Sequence, residues 1–568
     1  MLMKRVGLFF LAMCVSLLPA KADKLPKGVG AARKAVASVV TYRQGVMLRN
    51  GTAVFAGEKG DVLSSRSLFV GADSAVVIDC KGTARPVERI VGVNEMFDCI
   101  RVRVAADKRL NTLPLSTSNV VAGESLYQLG YGVGKGGFVE PAVVERVDSV
   151  YSCAYYTLAK PMDARFTALP LVNGNGELVA VMQEAATGDT INSYAIGASV
   201  VSMLDVSVPT FGRGYYPSMG IRTALPQKKE DALSCLYMQT ILGDSVSYRN
   251  VIADFVAQYP TSSEGYISRA EYEALMLHDI DAALQSWDKA FNFAQNPAEV
   301  HFAKAKVLNT IVLEGDSTFH HSLTKTDVLS EIDKAIAADS QSLFVNAKAE
   351  ILCSHSDFAA AALCYEQLAA TDMRSADIFA KASQCYRAVE DYSKSVAMLD
   401  SAVNCFDSTM VKSYAPYILT RALVNATAKK YRDAVFDYNR YESIMAGTLG
   451  AEFYYLREQA ELNAKMYQLA LNDLDTAISL APENIAYYVE KALLCYRVKL
   501  SDEGVRTLKE AEAIAPAVPD VHYLLGRLYI QKGDTENARP CLEKALELGH
   551  PDAAGVLEQL KSEKNSCR

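Results

Sequence analysis

The sequence predicts two architectures in one chain: an all-β double barrel in front, and an all-α solenoid of helical hairpins behind it. Three observations carry that prediction. Small and large apolar residues recur at a constant interval of about 34 residues between Ala451 and Asp552, a period that belongs to stacked hairpins rather than one globule. Short β-branched runs separated by polar, glycine-bearing turns fill residues 30–205 instead. Between the two, 206–228 is dense in Gly and Pro, which punctuate structure rather than build it, and it reads as a linker.

The chain opens with an export address. Lys4 and Arg5 precede an apolar run from Val6 to Leu18, and Ala20-Lys21-Ala22 supplies a small-x-small cleavage pattern. Residues 1–22 therefore read as a signal peptide, and the protein as exported, to the periplasm or beyond, in a bacterial cell envelope. A retained anchor is the plain alternative, but the run falls short of the ~20 apolar residues a span needs. Leu11-Ala12-Met13-Cys14 faintly resembles a lipoprotein box, with an unsuitable Met13 before the Cys.

In 30–205 the strand-like runs are Val36–Tyr42, Thr52–Ala56, Ser74–Asp79, Ile100–Val104, Ser125–Leu129, Leu178–Gln183 and Ile191–Ile196. Turns such as Gly57–Gly60 and Asn173–Gly176 separate them, and the length suits a pair of six-stranded barrels. The glycine-rich Gly130–Gly137 would cradle a phosphate if it opened a helix. Flanked by Ser125–Leu129 and Phe138–Val144, it reads as a β-turn.

Composition limits the partners. A net charge of −8 argues against nucleic acid, because phosphate binding needs a basic surface. Of twelve Cys, Cys14 leaves with the leader. The others are scattered without metal-ligand spacing, so neither a zinc site nor a disulfide framework is expected. Cys385, Cys495 and Cys541 fall at packing positions of helices, where Cys acts as a small apolar residue. No cofactor and no metal are implied.

From 229 to 552 the helical period takes over, with a capping helix and tail at 553–568. In the units 451–484, 485–518 and 519–552, equivalent positions hold Ala470, Gly504 and Ala538, then Leu474, Leu508 and Leu542, then Ala477, Ala511 and Ala545. Residues three and four apart share a helix face, so each unit presents small–large–small to a neighbour. Pro482 and Pro516 end the second helices, since Pro cannot continue one. The pattern resembles the tetratricopeptide repeat family, most closely at 519–552 with Leu525-Gly526, Tyr529 and a Gly533-Asp534 turn. Further units follow upstream at 415–448, 376–409 and 342–375, with degenerate ones at 298–341 (insertion near Gly315–Thr326) and 264–297, and a helix pair at 229–263. That makes about nine hairpins.

The front segment resembles the trypsin-like fold of secreted bacterial serine proteases of the HtrA (Deg) type. Gly51–Phe55, Val62–Asp73, Phe97–Val102, Leu113–Leu115, Ala122–Ser125 and Pro170–Val181 follow that family's order of segments. By this resemblance the catalytic triad falls on Ser67 in place of His, Asp98, and Thr167 in place of Ser, with Ala168-Leu169 replacing two glycines. Only Asp98 matches. No His occurs before His278, whatever the alignment. A hydroxyl nucleophile needs a base to take its proton, and Ser67 cannot supply one. The turn Arg165–Leu169 also lacks the Gly that lets amides form an oxyanion hole without strain. A Thr167–Lys160 dyad is the rival catalytic reading, since a buried Lys can act as base. Asp98 alone reads as a turn or hydrogen-bonding residue, and Ser64-Ser65-Ser67 as strand-end polarity.

The expected function is thus an exported scaffold: a protease-like domain without catalysis, joined to repeats whose groove binds proteins or peptides. The alternative is an unconventional serine/threonine peptidase whose repeats recruit substrate; a third possibility is an assembly subunit. Tyr417, Tyr454, Tyr455, Tyr487, Tyr488 and Tyr523 open helices, where packing between hairpins is the ordinary role and ligand contact the rival one.

Overall fold

The structure is a computed structural model that describes residues 25–566 apart from 107–109, 119, 135, 161–166, 185–190, 212–215, 243, 316–322 and 408–410. The expected signal peptide, Arg165, Phe166 and most of the expected insertion near Gly315–Thr326 lie outside the described residues. The chain divides into two compact units, Met1–Tyr272 and Glu273–Arg568.

The first unit holds twelve strands in chain order: β1 (Val36–Arg43), β2 (Val46–Phe55), β3 (Asp61–Ser65), β4 (Ser74–Ile78), β5 (Ala84–Asn94), β6 (Cys99–Val104), β7 (Ser125–Leu129), β8 (Val139–Val150), β9 (Cys153–Leu158), β10 (Pro170–Val172), β11 (Leu178–Gln183) and β12 (Ser193–Gly197). They close into two six-stranded barrels, β1-β2-β3-β6-β5-β4 and β10-β11-β12-β9-β8-β7. Closure fills each interior with side chains. Val39, Val54, Val62, Ile90, Ile100 and Val102 are all fully buried in the first barrel, and Leu126, Val144, Leu171 and Ala195 in the second.

The glycine-rich stretch Gly130–Gly137 joins β7 to β8. The Gly130 amide donates to Phe138 O at 3.0 Å and the Gly136 amide to Val133 O at 3.0 Å. A Cβ on Gly132 would stand 2.0 Å from the Gly137 nitrogen, so glycine is needed for a tight turn. Within the stretch 206–228, residues 222–224 lie along β5: the Ile90 amide donates to Arg222 O at 2.8 Å, and the Ala224 amide to Ile90 O at 2.8 Å. Phe211, Tyr216, Met219, Ile221 and Leu225 along it are buried in the barrel core cluster. That cluster continues through Leu236, Tyr248, Ile252 and Phe255 on the helices Lys229–Leu242 and Ser245–Gln258. Asp254 on the second of these takes Arg89 at 2.6 Å and Arg222 at 2.7 Å.

Helix Ser263–Leu275 crosses the division between units and precedes Ile280–Phe293. Seven antiparallel pairs follow: Pro297–Glu314 with Lys325–Ala338, Ser342–Ser354 with Phe358–Leu368, Ala376–Ala388 with Tyr392–Val403, Val411–Thr427 with Tyr431–Met445, Ala451–Asn463 with Tyr467–Leu480, Ile485–Val498 with Ser501–Ile514, and Pro519–Gln531 with Thr535–Glu547. Their starts carry caps that satisfy orphan amides: Asp279 accepts from the Ala282 amide, Asp391 from Lys394 and Asp534 from Asn537. Helices end at Leu480 and Ile514, two residues before Pro482 and Pro516. Ala470, Leu474, Ala477, Leu508, Ala511, Ala538, Leu542 and Ala545 are all fully buried or nearly so. Small residues are required there. A Cβ on Gly504 would lie 2.8 Å from Leu528 Cδ1, and one on Gly526 2.5 Å from Leu542 Cγ. Helix Ala553–Ser566 then covers the last pair, with Leu557 and Leu560 clustered on Ala538 and Leu542.

Candidate functional site

Register brings two of the three triad-like positions together. β3 pairs with β6 from Asp61↔Arg103 to Ser65↔Cys99, so the residues just beyond, Arg66-Ser67 and Asp98, face each other. The Arg66 amide donates to Asp98 O at 2.9 Å, and the Ser67 amide to Asp98 Oδ1 at 2.8 Å. Asp98 Oδ2 accepts from the Ser65 hydroxyl, and Ser65 Oγ lies 2.7 Å from Ser67 Oγ. Arg66 Nε stands 3.7 Å away. Asp98 sits at φ 46°, a left-handed conformation that short polar residues tolerate. Its carboxylate thus caps the turn Arg66–Leu68.

The roles of Ser65 and Gln183 depend on cross-strand pairing, which no local sequence pattern shows. Gln183 Nε2 donates to Phe97 O at 2.5 Å and approaches Cys99 Sγ at 3.7 Å, linking the end of β11 to the turn that carries Asp98 and the start of β6. Burial first, then the Asp98 charge, pushes the Cys99 thiol up to about 12. The thiol packs in one apolar cluster with Phe97 and Ile100.

Thr167, half-buried, precedes β10. Ala168 after it is buried in the same apolar cluster as Phe97 and Cys99. It adopts φ 63°, where glycine is the unstrained residue, and its amide donates to Met182 O at 2.9 Å. Lys160 Nζ pairs with Glu140 and stands 3.4 Å from Gln128 Oε1.

In the repeats, buried ion pairs tie the two helices of a hairpin together, and the same Arg reaches a more exposed carboxylate of the preceding hairpin. Arg421 grips Asp437 at 2.6 and 3.0 Å and also pairs with Asp400 of the preceding hairpin. Arg457 repeats the arrangement with Asp473, at 2.7 Å twice, and reaches back to Glu442 at 2.5 Å. The helix-opening tyrosines pack: Tyr487 and Tyr488 are buried, Tyr455 lies 5.3 Å from Tyr487 between ring centroids, and Tyr523 stacks on His550 at 3.9 Å. A groove of about 590 Å³ opens between three successive hairpins, lined by Leu419, Tyr441, Leu449, Phe453, Leu480 and Tyr487, with Glu452 and Glu483 beside them. Among the described residues no helix is long and apolar enough to cross a membrane, and no His/Cys/Asp/Glu group is placed to hold a metal ion.

Residues 519–548 match the tetratricopeptide repeat family. No curated protein matches the chain. Among solved structures it is similar to a serine endoprotease from Yersinia pestis, with 17% identity and a TM-score of 0.28 over 32% of this chain and 64% of that one. It is similar also to the HtrA-type protease AlgW with tripeptide, with 19% identity and a TM-score of 0.27 over 31% of this chain and 60% of that one. A third is YrrB, a TPR protein with an unusual peptide-binding site, with 17% identity and a TM-score of 0.28 over 34% of this chain and 97% of that one. The chain thus spans less than two thirds of the length of each of the two proteases. The architecture is the one the sequence predicts, two closed six-stranded barrels followed by helical hairpins, of which residues 519–548 match the tetratricopeptide repeat.

Proposed function

We propose that the protein is an exported interaction scaffold, built from a catalytically inactive protease-like unit and a repeat array that binds proteins or peptides. The observation that carries the inactive reading is the state of Asp98. Its two carboxylate oxygens hold the Ser65 hydroxyl and the Ser67 amide, with no imidazole in the segment to orient. Orienting an imidazole is the task of a triad acid. The strained Ala168 after Thr167 and the pairing of Lys160 with Glu140 support the same reading. For the repeats, the apolar groove beside Phe453 and Tyr487 supports binding of an extended peptide.

The test uses the full chain without its leader. A fluorophosphonate probe should label neither Thr167 nor any serine of the front unit, and casein should stay intact. Labelling or hydrolysis that Thr167→Ala abolishes would instead establish the unconventional peptidase. Cell-envelope proteins captured by the wild type and lost on Tyr487→Asp, with folding retained by circular dichroism, would support the groove as the binding surface.

A further inference from the structure

Two thiols of neighbouring hairpins face each other. Cys353 lies near the end of helix Ser342–Ser354, and Cys385 on Ala376–Ala388; their Sγ atoms are 3.5 Å apart. Among the described residues no other pair of thiols is in such contact. Both belong to one apolar cluster with Leu352, Tyr365, Ile378 and Ala382, so the two sulfurs are held by packed helices rather than by loops. A disulfide needs about 2.05 Å between sulfurs, an approach of roughly 1.5 Å from this contact.

We propose that Cys353 and Cys385 form a disulfide site that staples the hairpin 342–368 to the hairpin 376–403. This inference goes beyond the proposed scaffold role and does not rest on it. Cys353 is half-buried and reachable, whereas Cys385 is buried and its thiol is pushed up to about 12, first by that burial. Cys353 is therefore the entry point. Its thiolate attacks a low-molecular-weight disulfide such as glutathione disulfide, forming a mixed disulfide and releasing one glutathione thiolate. The Cys385 thiolate then attacks the Cys353 sulfur, the protein S–S bond forms, and the second glutathione leaves. Two thiol protons and two electrons have passed from protein to oxidant. The packed neighbour at 3.5 Å makes the second step intramolecular and faster than capture of another glutathione.

The experiment treats the full chain without its leader with glutathione disulfide, then alkylates the remaining thiols and maps peptides without reduction. The expected product has lost about 2 Da, two hydrogens, and yields one cross-linked peptide joining the two helices. Thermal melting should rise by several degrees, and dithiothreitol should reverse the rise. Cys385→Ser should stop at the glutathione adduct on Cys353, while Cys405→Ser should leave the cross-link intact. Three results in the wild type overturn the proposal: both thiols alkylated, a lasting glutathione adduct on Cys353, or a Cys353–Cys364 bridge.

Discussion

Glu461 gives the most quantitative prediction. It lies on helix Ala451–Asn463, 2% exposed, beside Glu458, which is 1% exposed. Arg457 is the nearest cation, but its guanidinium is engaged by Asp473 at 2.7 Å and comes no closer to Glu461 than 3.9 Å. Glu461 Oε2 has no hydrogen-bond partner among the described residues. Burial first, then the charge of Asp473, therefore raises Glu461 from 4.5 to about 8. Burial and Glu490 raise Glu458 to about 7, with Arg497 opposing. An acid raised in the folded state contributes stability below its unfolded value, and that contribution drains as pH climbs through the folded one. The window runs from 4.5 to about 8. Each step of one pH across it is worth about 1.4 kcal/mol. Because Glu458 titrates in the same environment, we expect about 2 kcal/mol rather than the full product. Glu461→Gln mimics the neutral acid. In urea unfolding followed by circular dichroism, the variant should match wild type near about pH 5 and gain about 2 kcal/mol near about pH 8.5. Equal stability at both pH values, or a loss at the higher one, would refute the argument.

Three further outcomes follow from contacts described above. Asp98→Ala strands the Ser67 amide and the Ser65 hydroxyl, so the front unit should lose about 1–3 kcal/mol in thermal unfolding, while any probe labelling stays at the wild-type level. Arg421→Ala leaves Asp437 buried without its partner and should cost about 3 kcal/mol in urea; a loss below about 1 kcal/mol would show the clamp to be dispensable. Gly526→Ala gains helix propensity yet places a methyl 2.5 Å from Leu542 Cγ, so a net loss of about 1–2 kcal/mol is expected, and a stabilised variant would contradict the close-approach argument.

Much of the fold was legible because its signals are local. The small–large–small spacing of Ala538, Leu542 and Ala545 marks a buried helix face without knowledge of the neighbour, and Leu178–Gln183 reads as a strand by composition alone. What the reading missed depends on partners distant in sequence. β5 carries Arg85, Glu88 and Arg89, so it looks polar until its pairing with β6 is known. The Gly- and Pro-rich stretch 206–228 reads as a linker, yet its Phe211 and Tyr216 are covered by strands from far earlier in the chain. At the triad-like site the sequence could name Ser67, Asp98 and Thr167. It could not show that Asp98 caps the turn above Ser65, because the β3–β6 register that aligns them is a tertiary fact. The clamps of Arg421 and Arg457 are hidden for a similar reason: an Arg and an Asp 16 residues apart reveal nothing until the hairpin folds.

The terminal helix Ala553–Ser566 has a role beyond finishing the chain. In a stack where every hairpin offers its neighbour the same kind of face, the face carrying Leu542 would stand open to water without a further helix to cover it. By laying Leu557 and Leu560 over Ala538 and Leu542, the helix keeps that apolar face out of water.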